Sequence, residues 1–253
     1  MKKIIISLLA IIMTALPCSA QSSLSWYCCH TKDHTQPTAD APMAFIENYN
    51  AYYRDTNHKS WSDKEKVIYL TFDAGYENGN VEKILDVLKE KGVHGSFFIL
   101  ENLTVRNPGL VQRMAKEGHL ICNHTATHKN MANIAYKDEF KKELDRLNEA
   151  CEAIGVTCSK YYRPPEGTFT EENLKWANEL GYKTLFWSFA YADWDNDSQP
   201  DRKNAKEKII SGTHNGEIIL LHPTSETNAE ILGELIDEWR AMGFRFALPD
   251  ELK

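Results

Sequence analysis

The chain has 253 residues, 42% hydrophobic and 26% charged, which is the balance of an ordinary globular protein of one to two domains. This composition excludes a collagen, a continuous coiled coil, a disordered chain and a polytopic membrane protein. The formal charge is −7. Loss of Lys2 and Lys3 with a leader would leave 27 basic against 36 acidic residues, or −9, which disfavours a nucleic-acid partner.

The chain opens with Met1-Lys2-Lys3, an apolar run from Ile4 to Leu16, and Pro17-Cys18-Ser19-Ala20. These are the basic, apolar and small-residue parts of a secretory signal, so residues 1–20 are expected to be a leader cleaved after Ala20. The apolar run is shorter than the ~20 residues that span a bilayer, so no stable membrane span is expected after cleavage. The mature chain keeps Cys28, Cys29, Cys122, Cys151 and Cys158, an odd number with no Cys-x-x-Cys pair, which is no disulfide framework. Cys151 and Cys158 are close enough in sequence to close a small loop, or to remain free thiols.

Residues 21–62 are polar and turn-rich and are expected to form an N-terminal arm on the main domain, residues 63–253. Phe45, Ile46, Tyr49, Tyr52 and Tyr53 have the 3-4 spacing of one packed helix. From Val67 onward β-branched and aromatic runs alternate with helical patterns, the order of a parallel sheet with crossover helices. Strands are predicted at Val67 to Phe72, Gly95 to Leu100, Leu120 to Asn123, Tyr161 to Arg163, Thr184 to Trp187, Glu217 to Leu221 and Phe244 to Ala247. Helices are predicted at Val81 to Glu90, Pro108 to Glu117, Lys137 to Ile154, Glu171 to Leu180 and Ala229 to Met242, each with a glycine where a C-cap is wanted. The pattern suits an α/β barrel and an open doubly wound sheet equally well.

Residues able to do chemistry cluster just after the strands, where both parallel architectures place their sites. The first cluster is Thr71-Phe72-Asp73-Ala74-Gly75-Tyr76-Glu77-Asn78-Gly79, a carboxylate at a strand end before a sharp turn. Asn123-His124-Thr125-Ala126-Thr127-His128 holds two histidines four apart, able to face one cation. In Arg163-Pro164-Pro165-Glu166-Gly167 a rigid diproline fixes the backbone after a guanidinium able to hold a carboxylate. Trp187-Ser188-Phe189-Ala190-Tyr191-Ala192-Asp193-Trp194 mixes one acid with aromatic surface suited to a sugar face, and a core aromatic cluster is the alternative. His222 leaves an apolar strand and titrates in the range of a general acid. The run from Asp193 to Asp201 has several carboxylates but lacks the turn glycine and closing glutamate of a calcium loop.

In order and spacing these clusters resemble the polysaccharide deacetylases of carbohydrate esterase family 4, the NodB-homology domain, over roughly Val67 to Leu252. Within that family the chain is most similar to the peptidoglycan N-acetylmuramic acid deacetylases that prepare muramic δ-lactam. The resemblance implies a distorted (β/α) barrel of about seven parallel strands and hydrolysis of an N-acetyl group on an amino sugar. It makes Asp73 the general base oriented by Arg163, and His222 the general acid oriented by Asp193. Trp187, Tyr191 and Trp194 are the expected substrate-binding aromatics. His124 and His128 fall on the family's metal-binding histidines, while Ala74 stands where most members have a second aspartate. A divalent cation, Zn²⁺ or similar, and a metal-independent reaction are therefore both open. The resemblance further implies an exported protein of the bacterial envelope or exterior, with peptidoglycan glycan strands as partner. Its alternatives are a deacetylase of another N-acetylated glycan and a non-catalytic glycan-binding module.

Overall fold

The computed structural model describes residues 22–252 apart from His30 and Lys32; the expected leader, with Cys18, lies outside the described residues. In chain order the strands are β1 (Leu24–Ser25), β2 (Ala51–Tyr52), β3 (Lys66–Ala74), β4 (Ser96–Ile99), β5 (Leu120–Asn123), β6 (Tyr161–Tyr162), β7 (Thr168–Phe169), β8 (Lys183–Leu185), β9 (Phe189–Ala190), β10 (Glu217–Leu221) and β11 (Phe244–Phe246). The α-helices are α1 (Asn80–Lys91), α2 (Glu101–Arg106), α3 (Pro108–Lys116), α4 (Lys137–Ala153), α5 (Glu171–Glu179), α6 (Arg202–Gly212) and α7 (Glu226–Ala241).

All ladders of the main sheet are parallel, and its order is β2-β8-β6-β5-β4-β3-β10-β9, with β11 also pairing with β3. That order decides between the two architectures. A doubly wound sheet would reverse its strand order at a switch point, whereas here the last long strand, β10, returns beside the first, β3, as in a closing barrel. Among the described residues no ladder joins the edge strands β2 and β9, so the curled sheet stays open there, with only an isolated bridge from Arg54 to Glu217 across the gap. The result is a distorted (β/α) barrel.

Strand β3 shows how sequence sets the two sides. Ile68, Leu70, Phe72 and Ala74 belong to the large apolar cluster shared with α1, α3 and α7, while Val67 and Tyr69 join the smaller cluster with Phe98, Cys122 and Ile218. The alternation is that of a pleated strand whose successive side chains face opposite sides. It leaves Asp73 on the side opposite Ala74, and that parity matters for the site.

The expected helix in the arm is instead a 3₁₀ helix, Ala41–Tyr49, followed by β2. Asn50 in the left-handed region (φ 52°) ends the helix, and Ala51 and Tyr52 then extend to pair with Thr184 and Leu185. The arm thus adds an edge strand to the sheet. It also pairs β1 antiparallel with β7 and shares an apolar cluster, Trp26, Met43, Ile46 and Tyr53, with Phe169, Leu174 and Phe186. The five described cysteines are free; the Sγ atoms of Cys151 and Cys158 stand 3.9 Å apart.

Candidate active site

Strand ends at one side of the barrel bring the chemistry together. Asp73 sits one residue before the end of β3, and Arg163 directly follows β6, two strands beyond β4. Arg163 is wholly buried. Its Nη1 donates to Asp73 Oδ1 at 2.7 Å, Nη2 to Thr71 Oγ1 at 2.9 Å and to the Phe186 carbonyl at 3.1 Å, and Nε to the Leu185 carbonyl at 2.8 Å. The guanidinium also stacks over Phe98, 4.1 Å from the ring centroid. A planar fork with this many acceptors has one orientation, so the partner carboxylate is fixed as well. Burial pushes the Asp73 carboxyl up, but the charges of Arg163, His124 and His222 outweigh it and hold the group below the ordinary carboxylate range.

His124 follows β5. Its Nδ1 faces the Arg163 carbonyl at 2.9 Å, so Nδ1 carries the proton. Burial lowers its pKa to about 4, which leaves the ring neutral near pH 7 with Nε2 as an acceptor, 3.5 Å from Asp73 Oδ2. Two acceptors therefore face each other across a gap that a donor such as water can satisfy. The connecting turn is strained: Thr125 (φ 75°) and His128 (φ 56°) are both left-handed. The turn is held by Asn123 Oδ1 accepting from the Thr125 N–H and by Thr125 Oγ1 accepting from the His128 N–H. His128 itself is exposed, its ring centroid 5.1 Å from that of His124.

A second carboxylate and its partner, Asp193 and His222, lie on the other flank. Asp193, wholly buried in the loop after β9, faces His222 Nδ1 at 2.7 Å through Oδ1 and accepts the His222 backbone N–H at 2.8 Å through Oδ2. Burial alone would depress the His222 pKa; the Asp193 hydrogen bond and charge, with Asp73 beyond, raise it above the ordinary histidine value. The ring is thus biased toward its protonated form, with Nε2 pointing away from Asp193.

Asp73, His124, His128 and His222 all line one cavity of about 640 Å³, whose walls include Tyr76, Leu100, Glu166, Trp187, Tyr191 and Trp194. Trp194 is 60% exposed at the rim, and Trp187 is half-buried. Tyr191 is only 6% exposed, and its hydroxyl is committed to Asn228, so it forms wall rather than an open stacking platform. Sequence reasoning had no reason to single out Asn228 or Gln199, which meet Asp193 only through the fold; each is a polar residue in a helical or loop pattern.

Donor chemistry tests the cation that the family resemblance implies. Ala74 offers a methyl group, is wholly buried, and faces the apolar layer on the opposite side of β3 from Asp73. Among the described residues no three His, Cys, Asp or Glu side chains converge as a metal-holding group. The residues therefore do not fit the three-ligand set of a catalytic zinc centre. In the acidic run, Asp193 turns inward to His222, so Asp193 to Asp201 do not converge either.

Sequence and structure comparisons place this geometry. Residues 61–185 match the polysaccharide deacetylase family. The chain is 39% identical over 231 residues, 90% of its length and 85% of the relative's, to the peptidoglycan-N-acetylmuramic acid deacetylase PdaA of Bacillus subtilis. The chain belongs to the polysaccharide deacetylase family. The solved structure of Bacillus subtilis PdaA, a family 4 carbohydrate esterase, superposes with a TM-score of 0.85, covering 91% of this chain and 96% of that one. A peptidoglycan-N-acetylglucosamine deacetylase of Bacillus cereus is 31% identical over 81% of this chain and 80% of its own length. The chain is accordingly a polysaccharide deacetylase, a hydrolase acting on N-acetyl amide bonds. Family 4 deacetylases are generally metal-dependent, which makes the donor set of this member unusual.

Proposed function

We propose that the chain is an exported deacetylase that removes the N-acetyl group from N-acetylmuramic acid residues of peptidoglycan. The observation that carries this reading is the pair of oppositely biased groups on one cavity: Asp73 biased toward its carboxylate by Arg163, and His222 biased toward its protonated form by Asp193. Groups whose environments push their pKa values apart are suited to acting as base and acid in one reaction. The likeness to PdaA supports the muramic substrate.

In this reading a water donates hydrogen bonds to Asp73 Oδ2 and His124 Nε2, and Asp73 takes its proton as it attacks the acetyl carbonyl. The tetrahedral intermediate then collapses as His222 Nε2 protonates the leaving amine, giving acetate and a free amino sugar. Trp187 and Trp194 would hold the sugar. On muramic residues whose stem peptide has been removed, the product amine can then condense with the lactyl carboxyl group, losing water, to give a δ-lactam. Residues 1–20 would be the leader, residues 21–62 the arm and residues 63–253 the catalytic domain, with the bacterial envelope or exterior as the place of action. Because Ala74 supplies no ligand, the reaction is read as one that does not depend on a resident Zn²⁺.

Mass spectrometry of peptide-stripped peptidoglycan tests this, with one sample in strong chelator and one with added Zn²⁺. Acetyl loss and lactam formation in both is the expected result. Turnover only with Zn²⁺ would return a cation to His124 and His128, and turnover of a different N-acetylated glycan alone would sink the muramic assignment. Asp73→Asn and His222→Ala should each abolish turnover while leaving glycan affinity within a few-fold. Full turnover by either would contradict the acid-base pair, and affinity without any turnover by the wild-type chain would favour the binding module.

A further inference from the structure

We propose that Asn228 and Tyr191 are positioning residues that hold the Asp193 carboxylate so that it accepts from His222 Nδ1–H and keeps the ring turned with Nε2, the atom from which the imidazolium gives up its proton, toward the cavity. The proposal rests on the reading of His222 as general acid. Asn228, almost wholly buried, is the third residue of α7, a helix whose N-cap Ser225 accepts the Asn228 backbone N–H at 3.1 Å. Its Nδ2 donates to Asp193 Oδ2 at 2.6 Å and to the His222 carbonyl at 3.1 Å, and its Oδ1 accepts from the Tyr191 hydroxyl.

A carboxylate and a carbonyl can only accept, so the amide must turn its nitrogen toward Asp193 and His222. Its oxygen then faces Tyr191, whose buried hydroxyl supplies the donor. These three partners select one amide orientation. With Oδ2 filled by Asn228 Nδ2 and the His222 backbone N–H, Asp193 keeps Oδ1 for the His222 ring, which must therefore donate from Nδ1.

The loop backbone is anchored separately. Gln199 Nε2 donates to the Asp193 and Asp195 carbonyls at 3.2 and 2.8 Å. Gln199 Oε1 accepts from Ser225 Oγ at 2.5 Å and from the Thr227 N–H at 3.2 Å. A change at the Asn228 side chain thus releases the carboxylate while the loop stays on the N-terminus of α7.

Asn228→Asp keeps the shape and replaces the donor with a second acceptor. It should lower kcat about tenfold or more while KM stays within about threefold, as removal of a partner that orients a working group does elsewhere. Nitrogen-15 NMR of the His222 ring should change from a single Nδ1–H form to a tautomer mixture in the deprotonated state. Tyr191→Phe should move both readouts in the same direction by less, and the double variant should be no worse than Asn228→Asp alone, because the two act through one contact chain. Wild-type kcat and tautomer in Asn228→Asp, or a loss confined to KM or melting temperature, would overturn the proposal. If Asn228→Asp does not fold, Tyr191→Phe decides in the same terms. Full activity in His222→Ala would overturn the general-acid reading on which the proposal rests, while the tautomer of Asn228→Asp would still report on positioning.

Discussion

Asp73 and Arg163 are 90 residues apart in sequence and 2.7 Å apart in space, both largely out of water. Breaking such a pair costs more than its net worth, because the remaining charge stays buried alone. Arg163→Met should therefore lower stability by about 3–5 kcal/mol, read from urea unfolding, and raise the Asp73 pKa so that turnover at neutral pH collapses. The wild-type pH profile follows from the same residues. Asp73 ionises below the ordinary carboxylate value, so it does not limit turnover between about pH 4 and neutrality. His222 loses its proton above the ordinary histidine value, so kcat/KM should decline on the alkaline side, with its midpoint above 6.5. A midpoint below that value would reassign the acid. Every one of these groups was legible in the sequence, because each is a chemically distinctive residue at the end of an apolar run. Asn228 and Gln199 were not, because their significance lies in partners 35 and 6 residues away that only the fold brings near.

The loop from Arg163 to Phe169, with β7 at its end, illustrates what an element adds to a motif. Gly167 (φ 65°) turns the chain so that its carbonyl accepts the Trp26 N–H at 2.9 Å, and a Cβ placed there would lie 2.7 Å from the Trp187 ring. Gly167→Ala should thus cost about 1–2 kcal/mol for the left-handed backbone alone and raise KM by displacing Trp187 from the cavity wall, read by chemical unfolding and steady-state kinetics. Long strands and amphipathic helices such as β3, β10, α4 and α7 were legible within a few residues, because their periodicity persists over several turns or pleats. The two-residue strands β1, β2, β7 and β9 are too short for any alternation, and β6, equally short, is legible only because its two tyrosines stand directly before Arg163 and the diproline. The six-residue α2 is likewise too short for a helical period. In α6, Ala205 and Ile209 are the buried apolar side chains, a stripe too narrow to stand out.

For the molecule as a whole, acid is the expected weakness. His119 and His124 are buried, and burial first of all lowers both to about 4 from the ordinary 6.5. A histidine whose folded pKa is depressed favours the fold fully above its unfolded value, and that stability is lost as pH falls toward the folded value. Each can withdraw on the order of 3 kcal/mol between pH 6.5 and 4. His222, raised in the fold, keeps its full contribution throughout that window and loses it only as pH rises. Denaturant midpoints should therefore drop sharply from pH 7 to pH 4.5; an unchanged midpoint would mean that both rings can charge where they sit. The arm matters at this scale too. Removing residues 22–54 would uncover Phe169, Leu174 and Phe186 and strip the edge strand from β8, so the truncated chain should lose cooperative unfolding, as calorimetry would show. Periodicity left the barrel undecided and only the family resemblance implied it, since a local pattern carries no information on which strand lies beside which.

Strand order also has a temporal consequence. Thr71, two residues before Asp73, hydrogen-bonds the Ile219 carbonyl 148 residues later, and β2 pairs with β8 across more than half the chain. Such distant pairings close large loops before they are rewarded, which slows folding and concentrates it late. A ribosome-bound chain lacking its last third holds Asp73 and Arg163 but has no His222 and no β10 against which β3 can settle. The hydrolase is thus expected to be silent during its own synthesis and to acquire activity only when the C-terminal strands arrive.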